Sequence, residues 1–120
     1  MHYIGMDIIE VARIEKAVNR WGSRFLRRIY TKTELEICRN RIPALAVRFA
    51  AKEAVMKALG TGARGISWRE IETLADTSGK PIVQLHGQAQ DKAKELNLNE
   101  LSISLSHSKE YAIASVIGSG

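Results

Sequence analysis

The segment RFAAKEAVMKALGTG, residues 48–62, constrains the fold more than any other part of the chain. Because successive helical residues turn by about 100°, the small apolar residues of this region share one stripe of a helix, namely Val47, Ala51, Ala54, Val55 and Ala58. Small side chains let a helix approach a sheet or another helix closely, so we expect this helix at the centre of the fold. Pro43 should open the helix, and Gly60 and Gly62 should end it.

The opposite face of this helix carries two charged residues, Glu53 and Lys57, one turn apart, with Phe49 beside Glu53. As an exposed salt bridge the pair would contribute only about 0.3–0.5 kcal/mol. The alternative is that the glutamate binds a metal and the lysine binds a phosphate. The pair alone leaves both interpretations open.

The composition favours one domain over residues 1–120, since a chain of this length that is 45% apolar has the size of a single compact core. No run approaches the roughly 20 apolar residues of a membrane span, and MHYIGMDIIEV has no basic leader, so we expect a soluble, intracellular protein. The single cysteine, Cys38, has no partner for a disulfide or a zinc cluster and is expected to pack in the core.

The positive charge is local. The net charge is +5, and residues 13–32 hold seven basic side chains against one acid, Glu15. A basic surface of this kind attracts an anionic partner, although a solvated helix face would have the same composition.

The N-terminal segment YIGMDIIEV predicts a mostly buried strand that places Tyr3, Gly5, Asp7 and Ile9 on one face. Asp7 is unusual there. A buried carboxylate is costly unless it meets a cation, hydrogen bonds or solvent at the end of the strand.

Other patterns predict the remaining elements. An amphipathic helix runs to about Trp21, with an apolar side formed by Val11, Ile14, Ala17, Val18 and Trp21. Further helices are expected near 24–30, 33–40 and 87–97, and strands near 69–75, 81–86, 101–107 and 111–117. Thr31 and Thr33 are each followed three residues later by a glutamate, as in a capping box, and residues 108–110 are short enough for a hairpin. We therefore predict an α+β fold with a largely antiparallel sheet packed around the central helix.

Two further motifs are only weak evidence for a phosphate loop and a catalytic triad. KALGTG has its glycines after the lysine, whereas a phosphate loop needs them before it, so a helix stop is the simpler reading. His107 lies among Ser104, Ser106 and Ser108, but residues adjacent in sequence seldom form a catalytic triad. A structural or ligand-contacting histidine is favoured.

Five motifs, taken together, are specific for one protein family. GMDIIEVARI, RFAAKEAVMKALGTG, ISWREIE, GKPIVQLHG and SLSHSKEYAIA resemble, in order and spacing, the short bacterial holo-[acyl-carrier-protein] synthases, which are 4'-phosphopantetheinyl transferases. The resemblance covers the whole chain. Ser108, where relatives often have threonine, keeps the hydroxyl group.

The resemblance implies a reaction. Enzymes of this family transfer the phosphopantetheine group of coenzyme A to a serine of acyl carrier protein and release adenosine 3',5'-bisphosphate, with Mg2+ at the pyrophosphate. Asp7 and Glu53 match the metal-binding positions, and Lys57 would offset charge on the leaving phosphate. Either a nearby carboxylate or a water on the metal would take the proton of the serine.

The resemblance also implies partners. Coenzyme A contacts would come from Arg48, Lys57, Gly60, Thr61, Gly62, Pro81 and His107. The acidic carrier protein would dock on Arg13, Arg20, Arg24 and Phe25. Members are typically homotrimers with the active site at the subunit boundary, and a cytoplasmic enzyme of fatty acid biosynthesis is expected.

Two other functions are compatible with parts of the sequence. A small nucleic-acid-binding domain would use the basic segment with its interleaved aromatic residues, but it leaves Asp7 and Glu53 unexplained. An inactive module that only binds carrier protein would keep the fold without catalysis. We therefore expect neither a nucleic-acid partner nor a membrane.

Overall fold

The computed structural model describes residues 1–60 and 64–120. The first half of the chain contains β1 (His2–Glu10), α1 (Val11–Trp21), α2 (Ser23–Ile29), α3 (Lys32–Cys38) and α4 (Ile42–Leu59). After a 3-10 turn at Trp68–Glu70, the second half contains β2 (Ile71–Ala75), β3 (Pro81–Leu85), α5 (Gly87–Glu95), β4 (Glu100–His107) and β5 (Tyr111–Ser119).

The strands form two antiparallel sheets. A three-stranded sheet has the order β1-β5-β4, and β2 pairs with β3 in a separate two-stranded sheet. The predicted α+β class with antiparallel pairing around a central helix is therefore confirmed. Element boundaries differ from the sequence prediction by a few residues, mainly because residues 68–70 form the 3-10 turn rather than the start of β2.

Helix α4 lies at the centre and is buried on nearly all sides. Its buried residues include the predicted alanine stripe but also Leu45, Phe49 and Met56, which lie outside it. Pro43 lies in the first turn, and Gly60 ends the helix in the left-handed conformation with φ of 75°. The expectation of a single buried stripe was too narrow, because elements pack around most of the helix.

Strand β1 approaches α4 most closely at Gly5. A Cβ atom at this position would overlap the carbonyl oxygen of Ala54 and lie 2.9 Å from the amide nitrogen of Ala58. Glycine on the strand and alanine on the helix therefore permit a contact that larger residues would prevent.

The two faces of β1 differ in exposure. Gly5, Asp7 and Ile9 are buried against α4, as the alternation predicted. Ile4 and Met6 point outward and are 68% and 61% exposed. The expectation of a mostly buried strand is wrong for this outer face, because no described element of this chain packs against it.

A buried ion pair joins α4 to α3, and hydrogen bonds from the same lysine reach the second half of the chain. The Nζ atom of Lys52, which is fully buried, lies 2.7 Å from Oε1 of Glu34 and also donates to the carbonyl oxygens of Trp68 and Ile71. Burial lowers the pKa of Lys52, and the Glu34 carboxylate partly offsets this effect. The lysine has three donors and uses all of them.

Glu34 is equally well satisfied. Its Oε2 atom accepts a hydrogen bond of 2.9 Å from the amide of Thr73, and its Oε1 atom accepts one of 2.9 Å from the amide of Thr31. The Thr31 hydroxyl in return accepts a hydrogen bond from the Glu34 amide. This pair of hydrogen bonds confirms the capping box predicted at Thr31. The buried role of Lys52 was not predicted from the sequence.

Three further expectations have outcomes in the structure. Cys38 is fully buried, as predicted. Trp21 was assigned to the apolar side of α1 but is 49% exposed, because the helix ends there. Among the helices described, none has the length and apolar composition needed to cross a membrane.

We expect Lys52→Met to lower the free energy of unfolding by about 3–5 kcal/mol, because Glu34 would stay buried without its cation. Urea unfolding followed by circular dichroism measures this change. Lys94→Met, on the exposed surface of α5, serves as the control and should cost less than about 0.5 kcal/mol. A loss below about 1 kcal/mol for Lys52→Met would contradict a structural role for the pair.

Candidate functional site

Asp7 faces the last turns of α4 from the inner side of β1. Its Oδ1 atom accepts a hydrogen bond of 2.9 Å from Nζ of Lys57, which also donates to the carbonyl oxygen of Met6 at 3.0 Å. The Lys57 side chain is 56% exposed and that of Asp7 only 10%. The lysine therefore reaches from solvent to a largely buried carboxylate.

The second oxygen of the Asp7 carboxylate is unsatisfied. Oδ2 is buried and has no hydrogen-bond partner among the residues that the structure describes. A buried carboxylate oxygen without a partner is costly, and such atoms in native proteins are explained by a bound water, an ion or a catalytic role. Lys57 thus neutralises one side of the carboxylate and leaves the other available to a cation.

Glu53 lies near this carboxylate. Its side chain is half-buried, and its pKa is raised, first by burial and second by the negative charge of Asp7. The positive charges of Arg13 and Lys57 act in the opposite direction. The structure therefore brings Asp7, Glu53 and Lys57 together, although Lys57 pairs with Asp7 rather than with Glu53.

The donor set suits a hard divalent cation. Within residues 1–60 and 64–120, no group of three or more His, Cys, Asp or Glu side chains is placed to hold a metal ion. Two carboxylates are the number that Mg2+ commonly takes from a protein, because it keeps several waters or substrate oxygens. The orphaned Oδ2 of Asp7 and the repulsion between Asp7 and Glu53 would both be relieved by such an ion, so the residues fit it.

Arg48 and Pro81 belong to a different part of the surface. They line a cavity of about 460 Å³ together with Lys80 and residues of β2 and β4. Arg48 also donates from Nε to the carbonyl oxygen of Thr73 at 3.3 Å. Arg48 precedes Lys57 by nine residues, about two and a half helical turns, so the two side chains leave α4 on opposite sides.

The remaining predicted coenzyme A contacts are scattered in a single chain. Gly60 is exposed at the end of α4. Thr61 and Gly62 lie outside the described residues. His107 is exposed at the end of β4, two strands across from Ile9, roughly 10 Å between backbones.

The predicted carrier-protein surface lies on α1 and α2. Arg13, Arg20 and Arg24 are exposed, and Phe25 is half-buried. The guanidinium carbons of Arg20 and Arg24 lie 4.9 and 6.0 Å from the ring centre of Trp21, an exposed residue that was predicted to lie on the apolar side of α1. The sequence signal for an exposed Trp21 is the pair of nearby arginines, Arg20 directly before it and Arg24 three residues after it.

The comparisons with known proteins agree with one another. A family model of the 4'-phosphopantetheinyl transferase superfamily matches residues 3–116. The chain is 56% identical over 117 residues to the holo-[acyl-carrier-protein] synthase of Dehalococcoides mccartyi strain CBDB1, covering 98% of each chain. It is 52% identical over 123 residues to the holo-[acyl-carrier-protein] synthase of Herpetosiphon aurantiacus, covering 97% of each.

The fold leads to the same family. The crystal structure of Helicobacter pylori holo-[acyl-carrier-protein] synthase in complex with coenzyme A superimposes with a TM-score of 0.88 at 36% identity, covering 97% of this chain and 99% of that one. Because both sequence and fold match from end to end, this chain belongs to the 4'-phosphopantetheinyl transferase superfamily and, within it, to the holo-[acyl-carrier-protein] synthase family.

Proposed function

We propose that this chain transfers the 4'-phosphopantetheine group from coenzyme A to a serine of apo acyl carrier protein, with Mg2+, and releases adenosine 3',5'-bisphosphate. The observation that carries the proposal is the cluster of Asp7, Glu53 and Lys57, with one carboxylate oxygen unsatisfied and one lysine reaching into solvent. The coenzyme A bound to the Helicobacter pylori relative supports the choice of donor substrate.

Asp7 and Glu53 are the residues that would hold the metal, through Oδ2 of Asp7 and the carboxylate of Glu53. When bound, Mg2+ supplies Lewis-acid polarisation of the pyrophosphate and neutralises part of its charge. Lys57 keeps Oδ1 of Asp7 occupied, so Oδ2 is the oxygen that would be available to hold the metal.

Lys57 has a second task. Its ammonium group has three donors, and two of them are used by Oδ1 of Asp7 and the carbonyl oxygen of Met6. The third donor is available to a phosphate oxygen of the substrate. In the transfer, the serine hydroxyl oxygen bonds to phosphorus and gives its proton to a nearby carboxylate or a water. The bond between phosphorus and the oxygen of the leaving adenosine 3',5'-bisphosphate breaks, and Lys57 would offset the charge that develops on that oxygen.

Arg48, Lys80 and Pro81 would bind another part of coenzyme A in their cavity, where the two cations suit its phosphates. On a single chain this cavity and Lys57 lie on opposite sides of α4. A site shared between subunits brings the two sets of residues to one substrate, and we propose that Arg48 of one subunit completes the site of its neighbour in a homotrimer. His107 and the 60–62 turn would add contacts.

The outer face of the three-stranded sheet supports this assembly. Ile4 pairs with Ile117 and Ile8 with Ile113 across β1 and β5, and these four side chains are 39–68% exposed. Together with Met6 they form a continuous apolar patch, which is typical of a protein–protein interface. A second copy of this chain would cover it.

The basic surface of α1 and α2 would bind the acidic carrier protein, with Arg20 and Arg24 held around the indole ring of Trp21. Because the positive charge of Arg13 acts to lower the pKa of Glu53, Arg13 would join this surface to the metal site. The proposal implies a cytoplasmic enzyme of fatty acid biosynthesis.

Asp7→Asn and Glu53→Gln should each lower product formation by roughly two orders of magnitude or more, because the metal loses a carboxylate. The measurement is mass spectrometry of apo carrier protein incubated with coenzyme A and Mg2+, which detects the added phosphopantetheine. Glu36→Gln removes an exposed carboxylate on α3 and should remain active. If the wild-type protein modifies no carrier protein, the transferase proposal fails and an inactive binding module is favoured. Near-normal turnover of Glu53→Gln would contradict the proposed metal-binding role of Glu53.

Glu53→Gln should also raise the melting temperature of the magnesium-free protein near neutral pH. The raised pKa of Glu53 means that the folded chain binds its proton more tightly than the unfolded chain, so stability falls as pH rises from the ordinary carboxyl pKa through the raised one. Thermal unfolding at about pH 7.5 and about pH 4 should show the gain at the higher pH and little at the lower. Added Mg2+ should stabilise the wild type more than the variant, and a variant less stable near neutral pH would refute the coupling.

Ile117→Lys should break the subunit contact, because a charge would be buried in the apolar patch. Light scattering should show monomers, circular dichroism should show an unchanged fold, and activity should fall by roughly tenfold or more if subunits share the site. Ile82→Lys, on the second sheet and 44% exposed, is the matched control. A fully active Ile117→Lys monomer would overturn the shared site.

A further inference from the structure

A second basic feature lies where α2, α3 and the 3-10 turn meet. A cavity of about 450 Å³ is lined there by Arg27, Tyr30, Lys32, Leu35 and Arg69. Tyr30 is buried and Leu35 half-buried, whereas the three cations are exposed. An apolar base is thus surrounded by three positive charges from three separate elements.

None of these charges is neutralised within the described part of the chain. Arg27, Lys32 and Arg69 make no ion pair or side-chain hydrogen bond there, and no acidic residue lines the cavity. Glu34 of α3 is buried with Lys52, and Oε1 of Glu70 accepts from the Ala89 amide at 3.0 Å. Converging like charges repel one another, so an anionic partner would be bound favourably.

Lys32 occupies a helix position that disfavours a positive charge. It is the first residue of α3, where the positive end of the helix dipole favours acidic residues and disfavours a cation. Residues that break a local stability rule are found mainly at functional or strained sites. This observation is independent of the shape of the cavity.

The cavity adjoins the carrier-protein surface. The ring of Tyr30, at its base, meets the ring of Phe25 edge to face, with centroids 6.2 Å apart and an interplanar angle of 76°. Phe25 follows Arg24 on α2, and both belong to the surface proposed for the carrier. The basic region therefore continues from that surface into the cavity.

We propose that this cavity is an extension of the carrier-protein surface that binds carboxylates of the acidic carrier outside the contacts of Arg13, Arg20 and Arg24. The inference rests on the proposed function. Exposed cations on separate elements suit carboxylates spread over a protein surface, whereas a compact phosphate is usually held by close bidentate arginines. Carriers with acidic residues at this position would be preferred substrates.

The test measures the dissociation constant of apo carrier protein by calorimetry, together with kcat and the KM for each substrate. Arg69→Gln and Lys32→Gln should each weaken carrier binding by about three- to tenfold and reduce its salt dependence, with kcat and coenzyme A affinity unchanged. Lys94→Gln on α5 removes the same charge elsewhere and should change neither affinity. Lys32→Gln should not lower the melting temperature, so lost binding would not be lost folding.

Arg24→Glu separates this inference from the proposed function. If Arg24→Glu raises the KM for the carrier while Arg69→Gln and Lys32→Gln behave like Lys94→Gln, the carrier surface stands and its extension is refuted. If the cavity variants lose affinity for coenzyme A instead, the cavity binds coenzyme A and the inference is wrong. If wild-type protein neither binds nor modifies carrier, both proposals fail.

Discussion

The structure depends on the contact between β1 and α4 at Gly5. Because no Cβ atom stands between them, the strand lies directly on the helix backbone at Ala54 and Ala58. Asp7 follows two residues later on the same strand face and therefore meets Lys57 on the next turn of α4. A larger residue at position 5 would displace the strand, and the carboxylate cluster would lose its geometry.

Helix α4 separates three roles by direction. Lys52 turns into the core and connects α3 and β2 through Glu34, while its neighbour Glu53 turns toward Asp7. Arg48 leaves on another side, toward the cavity that it shares with Pro81. Scaffold and chemistry thus use consecutive residues of one motif, since each helical step turns by about 100°. The motif lysine at position 52 is buried in an ion pair of the core, and the lysine at position 57 pairs with Asp7 in the candidate site.

Much of the fold could be predicted because short-range sequence patterns specify its helices and strands. The alternation in β1, the Thr31–Glu34 capping box and the glycine end of α4 are all short-range features. The burial of Lys52 could not be predicted, because its partners are Glu34, Trp68 and Ile71, far away in the sequence. Trp21 was misplaced for a related reason, since helical spacing says which residues share a face but not where packing ends.

The sequence by itself determined the family and the α+β class and supplied the candidate residues for the proposed chemistry, because motif spacing and periodicity are properties of the chain. The tertiary structure alone decided that Asp7, and not Glu53, pairs with Lys57. It also decided that one oxygen of Asp7 has no partner among the described residues and that the outer face of the sheet is exposed. These are distances and exposures between segments about fifty residues apart, set by close packing and not by any local pattern.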